Sequence, residues 1–146
     1  MIESYVLLGT LGVHSIEDIK RKKITVSITL FSAILCILLH LLFRNESIYS
    51  MLAGMLSGTV IVLLSKLSKG RISMGDGVVL MLTGLYLGFW ENLCLMFLAF
   101  SLASIWGIYQ LLVRHKSKDE RMAFVPFLFV GYVLLVLGKG AGVICV

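Results

Sequence analysis

Only eight acidic residues are present in this 146-residue chain. They are Glu3, Glu17, Asp18, Glu46, Asp76, Glu91, Asp119 and Glu120. Asp18 and Asp76 each lie beside the end of an apolar run, and together they could do proton chemistry that one carboxylate cannot. Two carboxyls brought close cannot both ionise, so one keeps a proton at a pH where it would ordinarily lose it. The ionised member can take a proton from water while the protonated member polarises a peptide carbonyl. Gly75 and Gly77 flank Asp76 and let backbone, water or an extended peptide approach its carboxylate. A plainer duty competes with this one. Aspartates at helix ends often cap helices, and Asp18 stands four residues before Lys22, the spacing of a surface ion pair.

Other chemistries find less support. His14 lies four residues before Asp18 and shares its helical face, so it could tune the pair's proton affinity; a plain interfacial polar role is the simpler account. Cys36 and His40 also share a face, but no further ligands accompany them, so neither a metal nor a cofactor is expected. The chain contains no HExxH and no GxSxG, which argues against a metalloprotease helix and a serine elbow. Ser65 and Lys69 are four apart and could mimic a Ser–Lys pair, but a helix-end lysine reaching for water explains Lys69. Cys36, Cys94 and Cys145 fall in apolar runs with no CxxC, and they read as small buried apolar residues.

The elements that must position the two aspartates follow from composition. Hydrophobic residues make up 59% of the chain and charged residues 14%, with a mean hydropathy of +1.00. A soluble domain needs far more polar surface. Six apolar segments can be read: Ser4–Ile16, Ile24–Phe43, Ile48–Leu67, Gly77–Trp90, Leu93–Val113 and Met122 to the C-terminus. A bilayer crossing takes about 20 apolar residues and must satisfy its own backbone, so each segment is expected to be a helix. The expectation is an all-α polytopic membrane protein of about six transmembrane helices, forming one domain over 1–146. The first charge, Glu3, and the lack of a small-residue cleavage site before Glu17–Lys23 argue against a signal peptide.

The net charge of +5 comes from basic residues clustered between apolar runs. Lys20, Arg21, Lys22 and Lys23 form one cluster, Lys66, Lys69 and Arg71 a second, and Arg114, Lys116, Lys118 and Arg121 a third. Only Arg44 and Lys139 fall on the other side. The positive-inside rule places the three clusters in the cytoplasm and both termini outside. No aromatic-interleaved basic stripe is present, so nucleic acid is not an expected partner. This topology brings Asp18 and Asp76 to the same membrane face. Small-residue pairs at helical spacing, Gly54 with Gly58, Gly84 with Gly88 and Gly138 with Gly142, predict close helix packing, more simply inside one bundle than between copies.

Three motifs carry a resemblance. Ser73-Met74-Gly75-Asp76 resembles the GxGD motif of type IV prepilin peptidases, and Gly84, Leu87 and Gly88 match the G-x-x-L-G pattern that follows it. Asp18 through Ile24 matches the family's first aspartate in its spacing to Ile-Pro-Asn, which selects Asp18 over Glu17. Phe124-Val125-Pro126-Phe127-Leu128 resembles the family's F-x-P-F-L segment. The chain departs from the pattern at Ser73, where the family has glycine, at Thr25 and Val26, where it has proline and asparagine, and at Val78, where lysine is common.

The resemblance implies a membrane aspartyl endopeptidase with Asp18 and Asp76 as its catalytic pair, Gly75 and Gly77 as active-site backbone, and no cofactor. Its substrates would be prepilin-like membrane proteins, cut after a short basic leader at the cytoplasmic boundary of a prokaryotic cytoplasmic membrane. No cysteine-bearing region precedes the first apolar segment, so the short, peptidase-only form found in Flp-type pilus systems is implied. Glu17, Asp119 and Glu120 could attract a basic leader, although solvated loop charges are the plainer account. The competing class is a non-enzymatic small membrane transporter or assembly subunit. Transporters place polar groups near the midplane, whereas here the acidic pair falls at one edge.

Overall fold

The computed structural model describes residues 2–21, 24–43, 47–67, 73–113 and 123–140, and all the regular secondary structure among them is helical. Five helices follow in order: α1 (Ile2–Arg21), α2 (Val26–Phe43), α3 (Ile48–Leu67), α4 (Met74–Val113) and α5 (Val125–Gly140).

The fourth and fifth apolar segments form one helical element with a break inside it. The polar Glu91 and Asn92 looked like an interruption, but both are helical, and the break falls at Gly88. Gly88 has φ 72° and ψ −171°, a conformation open to glycine and strained for other residues. The side-chain amide of Asn92 donates to the Leu80 carbonyl at 3.3 Å. Twelve residues of straight helix would hold the two about 18 Å apart. The chain therefore folds back at Gly88, and residues 89–113 return alongside residues 74–87. Asn92 is fully buried and secures this turn, accepting from Thr83 Oγ1 (2.7 Å) and donating to Ser57 Oγ (2.7 Å) and the Gly54 carbonyl (3.2 Å).

The helices run between two ends. At one end lie the end of α1, the start of α2, the start of α4 and the start of α5, joined by contacts at Asp18, Ile24, Gly75 and Val125. At the other end, Phe89 N–H donates to Ser50 Oγ at 3.3 Å, Tyr132 Oη donates to the Ser4 carbonyl at 3.3 Å, and Lys139 pairs with Glu91. The first turn of α1 and the last turn of α5 therefore share one end, opposite to Asp18.

Glycines bring α3 and the first half of α4 together. A Cβ on Gly84 would collide with the Gly54 carbonyl, one on Gly58 with the Met81 backbone, and one on Gly77 would stand 2.6 Å from Val62 Cγ2. Gly54, Gly58 and Gly84 thus serve packing within one bundle. The pair Gly138 and Gly142 is not testable in this way, since Gly142 lies outside the described residues. Around a core of Leu7, Leu11, Val79, Leu80, Leu95, Leu128 and Tyr132, the outer surface is strongly apolar: Leu30 is 61% exposed, Phe31 71% and Phe97 74%. Apolar surface on this scale marks a membrane or partner contact. Two of the described helical stretches, Ile48–Leu67 and Met74–Gln110, are long and apolar enough to cross a bilayer.

Candidate active site

Helical periodicity aims Asp18 inward. The buried residues of α1 are Leu7, Leu11, His14, Ser15 and Asp18, one stripe at spacings of three and four. The helix runs on past Ile16 to Arg21, so Asp18 stands on its last turn and not in a loop. It is only 6% exposed. Its Oδ2 accepts the backbone N–H of Val125, the first residue of α5, at 3.1 Å. Phe124, just before α5, has no side-chain acceptor, so Asp18 of α1 supplies the acceptor that a capping residue would. Phe124 itself is held against Phe100, with ring centroids 5.0 Å apart. Pro126 sits in the first turn of α5, where a missing N–H costs nothing.

Asp76 stands in the first turn of α4, which begins at Met74. Its half-buried carboxyl lies within electrostatic reach of Asp18. The structure thus brings the two aspartates to one end of the bundle, each on a helix terminus. Gly75 and Gly77 have packing roles. A Cβ on Gly75 would stand 2.8 Å from Ile24 Cδ1, and one on Gly77 would meet Val62 and the Gly58 carbonyl. The chain itself fills the space beside both glycines.

His14 is completely buried, but its ring pairs with Glu17 and Thr29: Nδ1 lies 3.3 Å from Glu17 Oε2, and Nε2 lies 3.1 Å from Thr29 Oγ1. Glu17 also accepts from Thr25 Oγ1 (2.6 Å) and Thr25 N–H (3.2 Å). The Thr25 hydroxyl, chiefly, holds the Glu17 carboxyl below its ordinary value; Thr25 N–H and His14 add to this and burial opposes it. Two adjacent carboxylates therefore serve two different helix starts, Glu17 that of α2 and Asp18 that of α5. Sequence reasoning missed this division of labour. The signal was present in the Phe124–Leu128 segment, whose second residue turned out to be the partner of Asp18.

Among the described residues, no group of three His, Cys, Asp or Glu side chains is placed to hold a metal. Cys36 is buried on α2. Lys69, Asp119, Glu120 and most of the basic clusters lie outside the described residues.

The profile of the type IV leader peptidase family matches residues 5–108, covering both aspartates and stopping short of Phe124. No curated protein and no solved structure matches the chain. With more than half of its length matched, the chain belongs to the type IV leader peptidase family, and so to the peptide-bond hydrolases.

Proposed function

We propose that the chain is a multi-pass aspartyl endopeptidase of a prokaryotic cytoplasmic membrane. It removes the short basic leader of prepilin-like proteins where the substrate's apolar helix meets the cytoplasm. The observation that carries this reading is convergence. Asp18 on the last turn of α1 and Asp76 on the first turn of α4 come within reach of each other's charge at one end of an apolar bundle.

The Val125 N–H and the start of α5 suit Asp18 to the ionised role, since helix N-termini favour negative charge. Asp18 takes a proton from water as the water oxygen bonds to the scissile carbonyl carbon. Asp76 holds a proton and donates it to the carbonyl oxygen. When the tetrahedral adduct collapses, the C–N bond breaks and the leaving nitrogen takes the proton held by Asp18. The carbonyl re-forms and returns the other proton to Asp76.

In this reading the domain is one membrane peptidase unit, its legs alternate across the bilayer about six times with a turn at Gly88, and lipid covers the exposed apolar faces. The basic clusters face the cytoplasm and both termini lie outside, in keeping with the positive-inside rule.

The decisive experiment replaces Asp18 or Asp76 with Asn and follows cleavage of a peptide with a basic leader and an apolar helix. Asn keeps the size and an acceptor for Val125 N–H, but it cannot exchange a proton at neutral pH. Each single variant should insert normally and lose at least about 10²–10⁴-fold in rate. Normal cleavage by both variants would leave the aspartates as helix-end charges and overturn the aspartyl mechanism, whereas no cleavage by the parent chain would return the non-enzymatic reading. Labelling of a cysteine at position 118 from outside intact cells would overturn the topology.

A further inference from the structure

The turn between α1 and α2 touches both aspartate-bearing segments at once. Thr25 donates its hydroxyl (2.6 Å) and its N–H (3.2 Å) to Glu17, the residue before Asp18. Ile24 packs into the space over Gly75, the residue before Asp76, so closely that a Cβ there would stand 2.8 Å from Ile24 Cδ1. Behind Glu17, the buried His14 ring links the same carboxylate to Thr29 one turn into α2, so the grip continues below the turn. Thr25 also starts α2, its carbonyl accepting from Ile28 N–H at 3.1 Å.

We propose that Ile24 and Thr25 form a brace that sets the separation of Asp18 and Asp76, with Thr25 and Glu17 acting as positioning residues. The inference rests on the dyad reading above. Thr25 stands where the family pattern has proline, and proline has neither the N–H nor the hydroxyl. A proline at position 25 could not close this brace with hydrogen bonds. Geometry at a reacting pair is costly to lose: a misplacement of about 1 Å can cost about 10²-fold in rate. The brace acts through Asp18, so its loss should fall on kcat and leave substrate binding alone.

The test uses the full chain in lipid vesicles and a peptide with a basic leader and an apolar helix. Thr25→Val should lower kcat about tenfold, with KM within about twofold. Thr25→Ser, which restores the hydroxyl, should recover most of the rate. Thr59→Val loses a comparable hydroxyl bond, to the Met55 carbonyl (3.0 Å), away from the turn, and should leave kcat unchanged. An unchanged kcat in Thr25→Val, or no recovery in Thr25→Ser, overturns the brace. A second measurement is independent of activity. Cysteines at positions 18 and 76, with Cys36, Cys94 and Cys145 changed to Ser, are joined by a short bifunctional maleimide. Adding Thr25→Val should slow the joining severalfold; an equal rate, or no joining in the Thr25 parent, overturns the proposal. Brace-dependent joining, together with no cleavage of the prepilin-like peptide by the chain that keeps Asp18 and Asp76, would sink the peptidase reading and leave the brace standing.

Discussion

Two of the seams in this bundle are made differently. Between α3 and the first half of α4, backbone lies on backbone through Gly54, Gly58, Gly77 and Gly84. Between α1 and α2, polar side chains meet: Thr10 with Ser32 (3.0 Å), His14 with Thr29 (3.1 Å) and Glu17 with Thr25 (2.6 Å). In lipid, water supplies no hydrophobic drive between helices, so close small-residue packing and interhelical hydrogen bonds are the two sources of cohesion. The first is intolerant, because a backbone has no rotamer with which to retreat. The second is graded, since each bond contributes about 0.6 kcal/mol on average in a membrane. Asp76 rides on the intolerant seam and Asp18 on the graded one. Adjustment between the two aspartates therefore falls to the α1–α2 side.

The sharpest test of this pairing is the double variant Asp18→Asn/Asp76→Asn. If the seams each deliver half of one catalytic unit, the double variant should be scarcely slower than either single one, because residues acting as a unit are not additive. Rate losses that multiply would separate the two seams functionally. Next in size is Gly84→Leu, which drives a side chain into the Gly54 carbonyl. It should cost about 3 kcal/mol, read as a lower melting temperature in detergent. Thr29→Val, on the graded seam, removes the partner of His14 Nε2 and should cost about 1 kcal/mol. Equal losses for these two would erase the contrast.

The smallest effect concerns Glu17. Its carboxyl lies below the ordinary value of 4.5 in the folded chain, chiefly through the Thr25 hydroxyl. A group lowered on folding adds stability that is fully present above its unfolded value and is lost as pH falls through the folded one. Acidification below 4.5 should therefore loosen the α1–α2 seam, and Glu17→Gln should flatten that part of the stability profile. An acid limb of the same steepness in Glu17→Gln would mean that other carboxylates carry it.

Much of this could be read from the residues. The apolar runs marked the helices, and the spacing of Asp18 to Ile24 together with Ser73–Asp76 marked the two segments that meet. Helix ends were less legible. Asp18 fell just past the first apolar run because Glu17, Lys20 and Arg21 surround it, and Asp76 fell just before the fourth because glycines flank it, yet both are helical. The turn at Gly88 was also hidden. Glu91 and Asn92 attracted attention as polar residues, but a single glycine with positive φ makes the turn, and the neighbouring amide is buried to secure it. The trans capping of α5 by Asp18 could not be foreseen, because sequence periodicity describes one helix at a time and this contact joins residues far apart in the chain.

The fold-back at Gly88 has a consequence for how the chain is made. The two halves of α4 meet with no loop between them, so no stretch of polar residues lies at that turn for the insertion machinery to read. They should enter the bilayer together, as a helical hairpin. In the proposed topology its orientation would follow the basic clusters on either side, Lys66–Arg71 before it and Arg114–Arg121 after it. In that topology the position of Asp76 relative to the membrane would be set during synthesis by charges outside the proposed aspartyl chemistry.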